Sequence, residues 1–216
     1  IITPKSLLYN WMSESAKFCP DLKAALYSGL ARNKVLGSFD VLDVVVMSYG
    51  TMRNDVELLR EYKFNCIVLD ESQAIKNPSS QTSRALLKVQ SRNKIALTGT
   101  PIENTLLDIW SQMNFLNPGL LGSYTYFEKQ FIRPIEKGAN PQKTEELRKL
   151  IDPFVLRRTK KQVMKELPPK IEKVHFCEMS VEQAELYESV KNQYRNEILN
   201  HVTELGISKS RLKIFN

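Results

Sequence analysis

Residues 64–73 read Phe64-Asn65-Cys66-Ile67-Val68-Leu69-Asp70-Glu71-Ser72-Gln73, an apolar run that ends in two adjacent carboxylates. The run from Cys66 to Leu69 is too short for a helix and reads as a strand buried on both faces, the kind that builds parallel sheets. In open sheets of that kind ligands bind beyond the carboxyl ends of the strands, so Asp70 and Glu71 emerge where chemistry is usually done. Such a pair suits hydrolysis of a nucleoside triphosphate. Asp70 can hold Mg²⁺ through its water shell while Glu71 orients or deprotonates the attacking water. The competing reading is a strand-end turn in which Asp70 and Ser72 bond only local backbone.

Outward from this stretch the same grammar repeats. Ile1-Ile2, Val44 to Met47 and Ile95-Ala96-Leu97 are further short apolar runs that read as buried parallel strands. Between them, Leu7 to Phe18, with Leu7, Trp11 and Phe18 on one face, and Gln81 to Val89 are long enough for crossover helices. Thr3-Pro4 would cap the first helix and open its first turn. The sum is an α/β fold, an open parallel sheet flanked by helices. The strand from Ile95 to Leu97 runs into Thr98-Gly99-Thr100-Pro101, two hydroxyls about a glycine, which would lie beside the carboxylates if the two strands are neighbours. An ordinary Gly-Thr-Pro turn is the alternative.

Beyond Pro101 the strand signals stop. Leu106 to Leu116 forms an apolar helix pattern ended by Asn117-Pro118-Gly119, and Pro168-Pro169 makes a stiff break. Residues 171–179 alternate as a half-buried strand would. Ser180 and Gln183 then form a capping-box signature, followed by a stripe of Val181, Ala184, Tyr187, Val190, Tyr194, Ile198 and Val202 on a long amphipathic helix. Three units are expected: a partial first lobe at 1–122, a mainly helical insertion with a basic linker at 123–170, and the start of a second lobe at 171–216. The chain opens inside an apparent strand and stops within a helical pattern, so it reads as a piece of a larger polypeptide.

Composition narrows the function classes. The 216 residues carry 42% apolar and 25% charged side chains, enough apolar surface to exclude wholesale disorder. No stretch approaches the roughly 20 apolar residues of a membrane crossing. Three separated cysteines without a C-x-x-C pair, and two histidines, argue against a zinc site or disulfide framework, and Cys66 reads as a small buried thiol. Residues 123–175 hold 13 basic against 7 acidic side chains, densest at Arg157, Arg158, Lys160, Lys161 and Lys165. Such a cluster suits contact with a phosphate backbone, or else a solvated helix face.

Five blocks in order, Thr3-Pro4-Lys5-Ser6-Leu7-Leu8-Tyr9-Asn10-Trp11, Ser48-Tyr49-Gly50-Thr51, Asp70-Glu71-Ser72-Gln73, Leu97-Thr98-Gly99-Thr100-Pro101 and Asp152-Pro153-Phe154-Val155-Leu156-Arg157-Arg158-Thr159-Lys160, resemble the Swi/Snf family of DNA-dependent ATPases in helicase superfamily two. The resemblance implies a RecA-like parallel sheet, most of the first of two lobes, and the crossing into the second. It implies ATP and Mg²⁺ as ligands and double-stranded DNA, read without sequence preference, as partner, with a DNA-bound protein complex as the object moved. By the same resemblance Asp70 and Glu71 are the magnesium and water-activating pair, and Gln73, Thr98, Gly99 and Thr100 couple the nucleotide site to the rest of the cleft. Pro4, Lys5, Ser6, Ser48, Tyr49, Arg157, Arg158 and Lys160 face the DNA.

No glycine here is followed by lysine, so the G-x-x-x-x-G-K-[ST] phosphate cradle is absent from these 216 residues, and the segment alone is expected to be catalytically incompetent. An RNA helicase or restriction-type motor of the same superfamily, and a non-catalytic interaction module on the same fold, are the competing functions. The expected location is a bacterial cytoplasm, at the nucleoid, or a nucleus if the source is eukaryotic.

Overall fold

The computed structural model describes residues 1–30, 32–99, 105–164, 166 and 171–205, with backbone alone at 160, 161 and 201–205. The chain divides into two compact units, Ile1–Arg157 and Arg158–Asn216.

In the first unit β1 (Ile2–Thr3), α1 (Leu8–Phe18), β2 (Ala24–Leu26), α2 (Arg32–Leu36), β3 (Val44–Ser48), α3 (Tyr49–Asn54), α4 (Val56–Leu59), β4 (Lys63–Leu69), α5 (Gln81–Leu86) and β5 (Gln90–Ala96) alternate strand with helix. All strand pairs are parallel, in the order β2-β3-β1-β4-β5. This is the open α/β sheet expected from the apolar runs. From β1 the chain leaves toward β2 on one side, whereas from β4 it leaves toward β5 on the other. The junction of β1 and β4 is therefore the topological switch point, where a crevice opens beyond the strand ends. The register Ile2↔Leu69 sets Thr3 and Asp70 side by side there.

The sheet core gathers Ile2, Tyr27, Met47, Met52, Leu69, Ile75, Leu86 and Phe115. A second cluster, Ile109, Trp110, Met113, Leu121, Phe127, Phe131 and Leu147, is built by α6 (Leu106–Leu116), α7 (Tyr124–Phe127), a wide helix over Glu128–Lys137 and α8 (Pro141–Ile151). Burying a ring such as Phe127 contributes about 1.5–3 kcal/mol. Helix α6 serves both cores, with Phe115 on the sheet side and Ile109, Trp110 and Met113 on the other.

Several expectations are corrected. Thr3 does not cap a helix: it ends β1, and the first helical residues are a tight turn over Lys5–Leu7 leading into α1. Phe18 is exposed, so the buried face of α1 runs through Leu8 and the half-buried Trp11. Strand β5 begins at Gln90 rather than Ile95 and lies at the sheet edge, which leaves Ile95 and Leu97 exposed rather than buried. Cys66 is half-buried.

In the second unit, α9 (Lys160–Val163) and α10 (Val181–Leu205) are the helices among the described residues. Residues 171–179 form no strand: among the described residues none pairs with their backbone, and their side chains are exposed. The capping box is present: the Ser180 N–H donates to Gln183 Oε1 (3.2 Å) and the Gln183 N–H to Ser180 Oγ (3.3 Å). Among the described residues no helix is long and apolar enough to cross a membrane.

Candidate nucleotide and nucleic-acid site

Asp70 follows directly on β4, and its N–H donates to the Ile2 carbonyl (2.8 Å), which extends the β1–β4 pairing into the crevice. Its carboxylate is held from three directions. Thr3 Oγ1 (3.0 Å) and Trp11 Nε1 (2.8 Å) both donate to Oδ2, and the Glu71 N–H donates to Oδ1 (3.0 Å). The Tyr49 hydroxyl donates to the Asp70 main-chain carbonyl (2.8 Å). Burial, reinforced by the nearby Asp70 and Glu71 charges, pushes the Tyr49 phenol far above its usual range, so it stays a protonated donor.

Glu71 adopts the left-handed backbone region, φ 52°, at a cost of about 1–3 kcal/mol for a residue with a Cβ. That turn ends the strand abruptly and aims successive side chains apart. Ser72 is buried and donates to Gln112 Oε1 on α6 (2.8 Å), while its N–H continues the ladder to the Leu97 carbonyl (2.9 Å). Gln73 Nε2 donates to Glu71 Oε2 (2.8 Å), and Thr98 Oγ1 donates to Gln73 Oε1 (3.0 Å). The Thr98 hydroxyl thereby fixes which end of the Gln73 amide faces Glu71. The strand-end turn and the linked carboxylate are thus both present: Asp70 does bond local backbone, and it is also tied to three other elements.

Gly99 is exposed beyond Thr98. Thr100, Pro101, Lys165 and the Leu167–Lys170 junction, together with the Lys160 and Lys161 side chains, lie outside the described residues. Pro4 is half-buried, and Lys5 and Ser6 are exposed on the turn before α1. Ser48 is buried as the N-cap of α3, its oxygen accepting from the Thr51 N–H (3.0 Å), and Tyr49 points inward to Asp70. Arg157 ends the first unit and Arg158 begins the second, both exposed.

Thr3 and Trp11 as donors to Asp70 were not found from sequence, since their role depends on β1 lying beside β4. A cavity of about 420 Å³, walled by Ile1, Val44, Val45, Phe64 and Cys66, opens at the opposite end of β3 and β4. Its lining includes Asp40, Asp43 and Lys63 but neither Asp70 nor Glu71, and it lies at the amino ends of the strands, whereas ligands of open parallel sheets bind beyond the carboxyl ends.

The donor set fits a magnesium ion held through water. Among the described residues every hydrogen bond to the Asp70 carboxylate comes from a neutral group and no cation pairs with it, and three of roughly four acceptor positions are filled, leaving room for a metal-bound water. Among the described residues there is no group of three or more metal-ligating side chains, and magnesium carried by one or two carboxylates plus phosphates requires none.

The family model described as the SNF2-related domain matches residues 1–215. The chain belongs to that family. It is 43% identical over 218 residues to a putative ATP-dependent helicase/translocase of Bacillus subtilis, covering 98% of this chain and 23% of the relative. It is 33% identical over 228 residues to the TATA-binding protein-associated factor MOT1 of Saccharomyces cerevisiae, covering 100% and 12%. The Sulfolobus solfataricus SWI2/SNF2 ATPase core, solved in complex with dsDNA, superposes with a TM-score of 0.70 at 40% identity, over 98% of this chain and 45% of that one. The chain thus spans about a quarter or less of these two curated relatives. Its parallel sheet is the RecA-like lobe of an SNF2-type ATPase core.

Proposed function

We propose that this SNF2-related chain is the part of an ATP-driven double-stranded DNA translocase that carries the water-activating carboxylate, acting on protein–DNA complexes. The observation that carries the reading is the Asp70–Glu71 pair at the switch point of β1 and β4, held by neutral donors and joined through Gln73 to Thr98.

In this reading Asp70 orients the water shell of Mg²⁺, and Glu71 takes the proton of the attacking water. Bound magnesium would neutralise charge on the terminal phosphates. Gln73 holds Glu71 through one amide end and senses Thr98 through the other, so movement of the Thr98-Gly99-Thr100 segment changes how Glu71 is presented. Pro4, Lys5 and Ser6, with the main chain about Ser48 and Tyr49, contact the DNA backbone, and Arg157, Arg158 and Lys160 add basic contacts. The buried hydroxyl of Ser48 favours its main chain over its side chain for that contact. Duplex DNA as the ligand is supported by the Sulfolobus core solved with dsDNA. Contacts of this type are blind to sequence and weaken steeply with salt. Residues 1–122, 123–170 and 171–216 act as first lobe, helical insertion with basic linker, and start of the second lobe, at the bacterial nucleoid or in a eukaryotic nucleus.

The test uses the complete ATPase containing this chain. Duplex DNA should stimulate ATP hydrolysis more than structured RNA does, and Glu71→Gln should retain nucleotide binding while turnover falls by on the order of 10²–10⁴-fold. A preference for RNA, or unchanged turnover, would refute the reading. Residues 1–216 alone should hydrolyse ATP negligibly, because they hold no G-x-x-x-x-G-K-[ST] cradle.

A further inference from the structure

Asp70 is the meeting point of three other elements, β1, α1 and α3. Thr3 and Trp11 reach the same carboxylate oxygen, Oδ2, from the end of β1 and from α1. Tyr49, at the start of α3, reaches the Asp70 carbonyl. Two donors on one oxygen and the Glu71 N–H on the other leave the carboxylate plane little freedom to turn. Thr3 is fully buried, so its hydroxyl serves Asp70 and cannot serve DNA. Trp11 differs. It lies six residues beyond Lys5, on the helix that continues from the turn on which Lys5 and Ser6 are exposed.

We propose that Thr3 and Trp11 are positioning residues for Asp70, and that the Trp11 indole bond couples engagement of the Lys5–Leu7 turn by duplex DNA to the hold of Asp70 on hydrated magnesium. The inference rests on the proposed reading of Asp70 as the magnesium carboxylate and of Lys5 and Ser6 as DNA contacts. Thr3 sets the orientation of the carboxylate whether or not DNA is bound. Trp11 makes that orientation depend on DNA, because it lies on α1, the helix that continues directly from the Lys5–Leu7 turn, whereas Thr3 is fixed in the sheet by its pairing with Ser48. Coupling between two binding events is reciprocal, so at fixed nucleotide magnesium must tighten DNA binding by the factor by which DNA tightens magnesium binding.

The experiment measures, in the complete ATPase, the Mg²⁺ concentration that half-saturates binding of a non-hydrolysable ATP analogue, with and without duplex DNA, and the melting temperature of every variant. In the wild type, DNA lowers the half-saturating Mg²⁺ concentration. Trp11→Phe, which keeps an aromatic side chain and removes the N–H donor, brings the ratio with and without DNA toward one. Thr3→Val raises the half-saturating concentration about 10-fold or more in both conditions, the usual effect of removing a partner behind a metal ligand, and Thr3→Ser restores it. The inference is overturned if the wild-type ratio is already one, if Trp11→Phe keeps the wild-type ratio, or if Thr3→Ser is as impaired as Thr3→Val. Asp70→Asn separates this failure from a deeper one: unchanged magnesium dependence in that variant removes Asp70 from the magnesium site altogether, whereas a lost dependence with unaffected Thr3 and Trp11 variants defeats the positioning roles alone.

Discussion

Two aspartates in the first unit collect almost the same number of hydrogen bonds and differ in what donates them. Asp55, buried at the end of α3, accepts from the Tyr27 hydroxyl (2.9 Å) and from both Nε and Nη2 of Arg32. Asp70 accepts from a hydroxyl, an indole and a main-chain amide. The arginine neutralises Asp55 and holds its carboxyl below the usual carboxylate range, so the cluster is a closed clasp between β2, α2 and α3. Asp70 is held by as many donors, and none among the described residues carries a charge to meet its own. An oriented, uncompensated carboxylate at a switch point is poised for a cation, and a compensated one serves the fold.

The broadest break in this comparison is to neutralise each aspartate in turn. Asp70→Asn should cost on the order of 10²-fold in DNA-stimulated turnover of the complete ATPase with little change in melting temperature. Asp55→Asn should do the reverse, lowering the melting temperature by several degrees while the remaining folded protein turns over normally. If the two variants exchange these effects, donor charge does not distinguish site from scaffold in this chain. The Thr98–Gln73–Glu71 chain gives a smaller effect. Thr98→Val removes one donor worth about 1 kcal/mol, frees the Gln73 amide to turn, and should slow turnover by roughly 3- to 10-fold. A loss no larger than that of an exposed control substitution would disconnect Thr98 from Glu71.

How much of this was legible in sequence differs between the same two regions. The strand Cys66–Leu69, the carboxylates at its end and the helix Leu106–Leu116 follow from periodicity, because each is a run whose own apolar pattern fixes its state. The neighbours of Asp70 do not. Thr3 and Trp11 lie 67 and 59 residues away, and only the strand order brings them in. Strand β2 escapes notice because three residues, Ala24-Ala25-Leu26, carry too little pattern, and the first part of β5 is hidden by its polar edge sequence, Gln90-Ser91-Arg92-Asn93-Lys94. Alternation misleads at 171–179, where the pattern of a half-buried strand is present and no strand among the described residues pairs with it. The Asp55 clasp has no sequence signature, since Tyr27, Arg32 and Asp55 belong to separate elements.

The smallest expected effect sharpens the comparison most, because it separates the two clasps by pH. The Asp55 carboxyl titrates below its unfolded value, so its contribution is full above about pH 4 and is lost as the pH falls through the depressed folded value. The melting difference between wild type and Asp55→Asn should therefore shrink on acidification. Burial, and then the bond to Asp55, push the Tyr27 phenol up to about 12, so its contribution is full below pH 10 and is lost as the pH rises through that value. Tyr27→Phe keeps the packing against Phe39 and removes a single donor, at a cost of about 1 kcal/mol or roughly 2–4 °C near neutral pH. That gap should close between pH 10 and 12. Were it to persist at the alkaline end, the stabilisation would come from the ring alone, and the Asp55 clasp would reduce to its arginine.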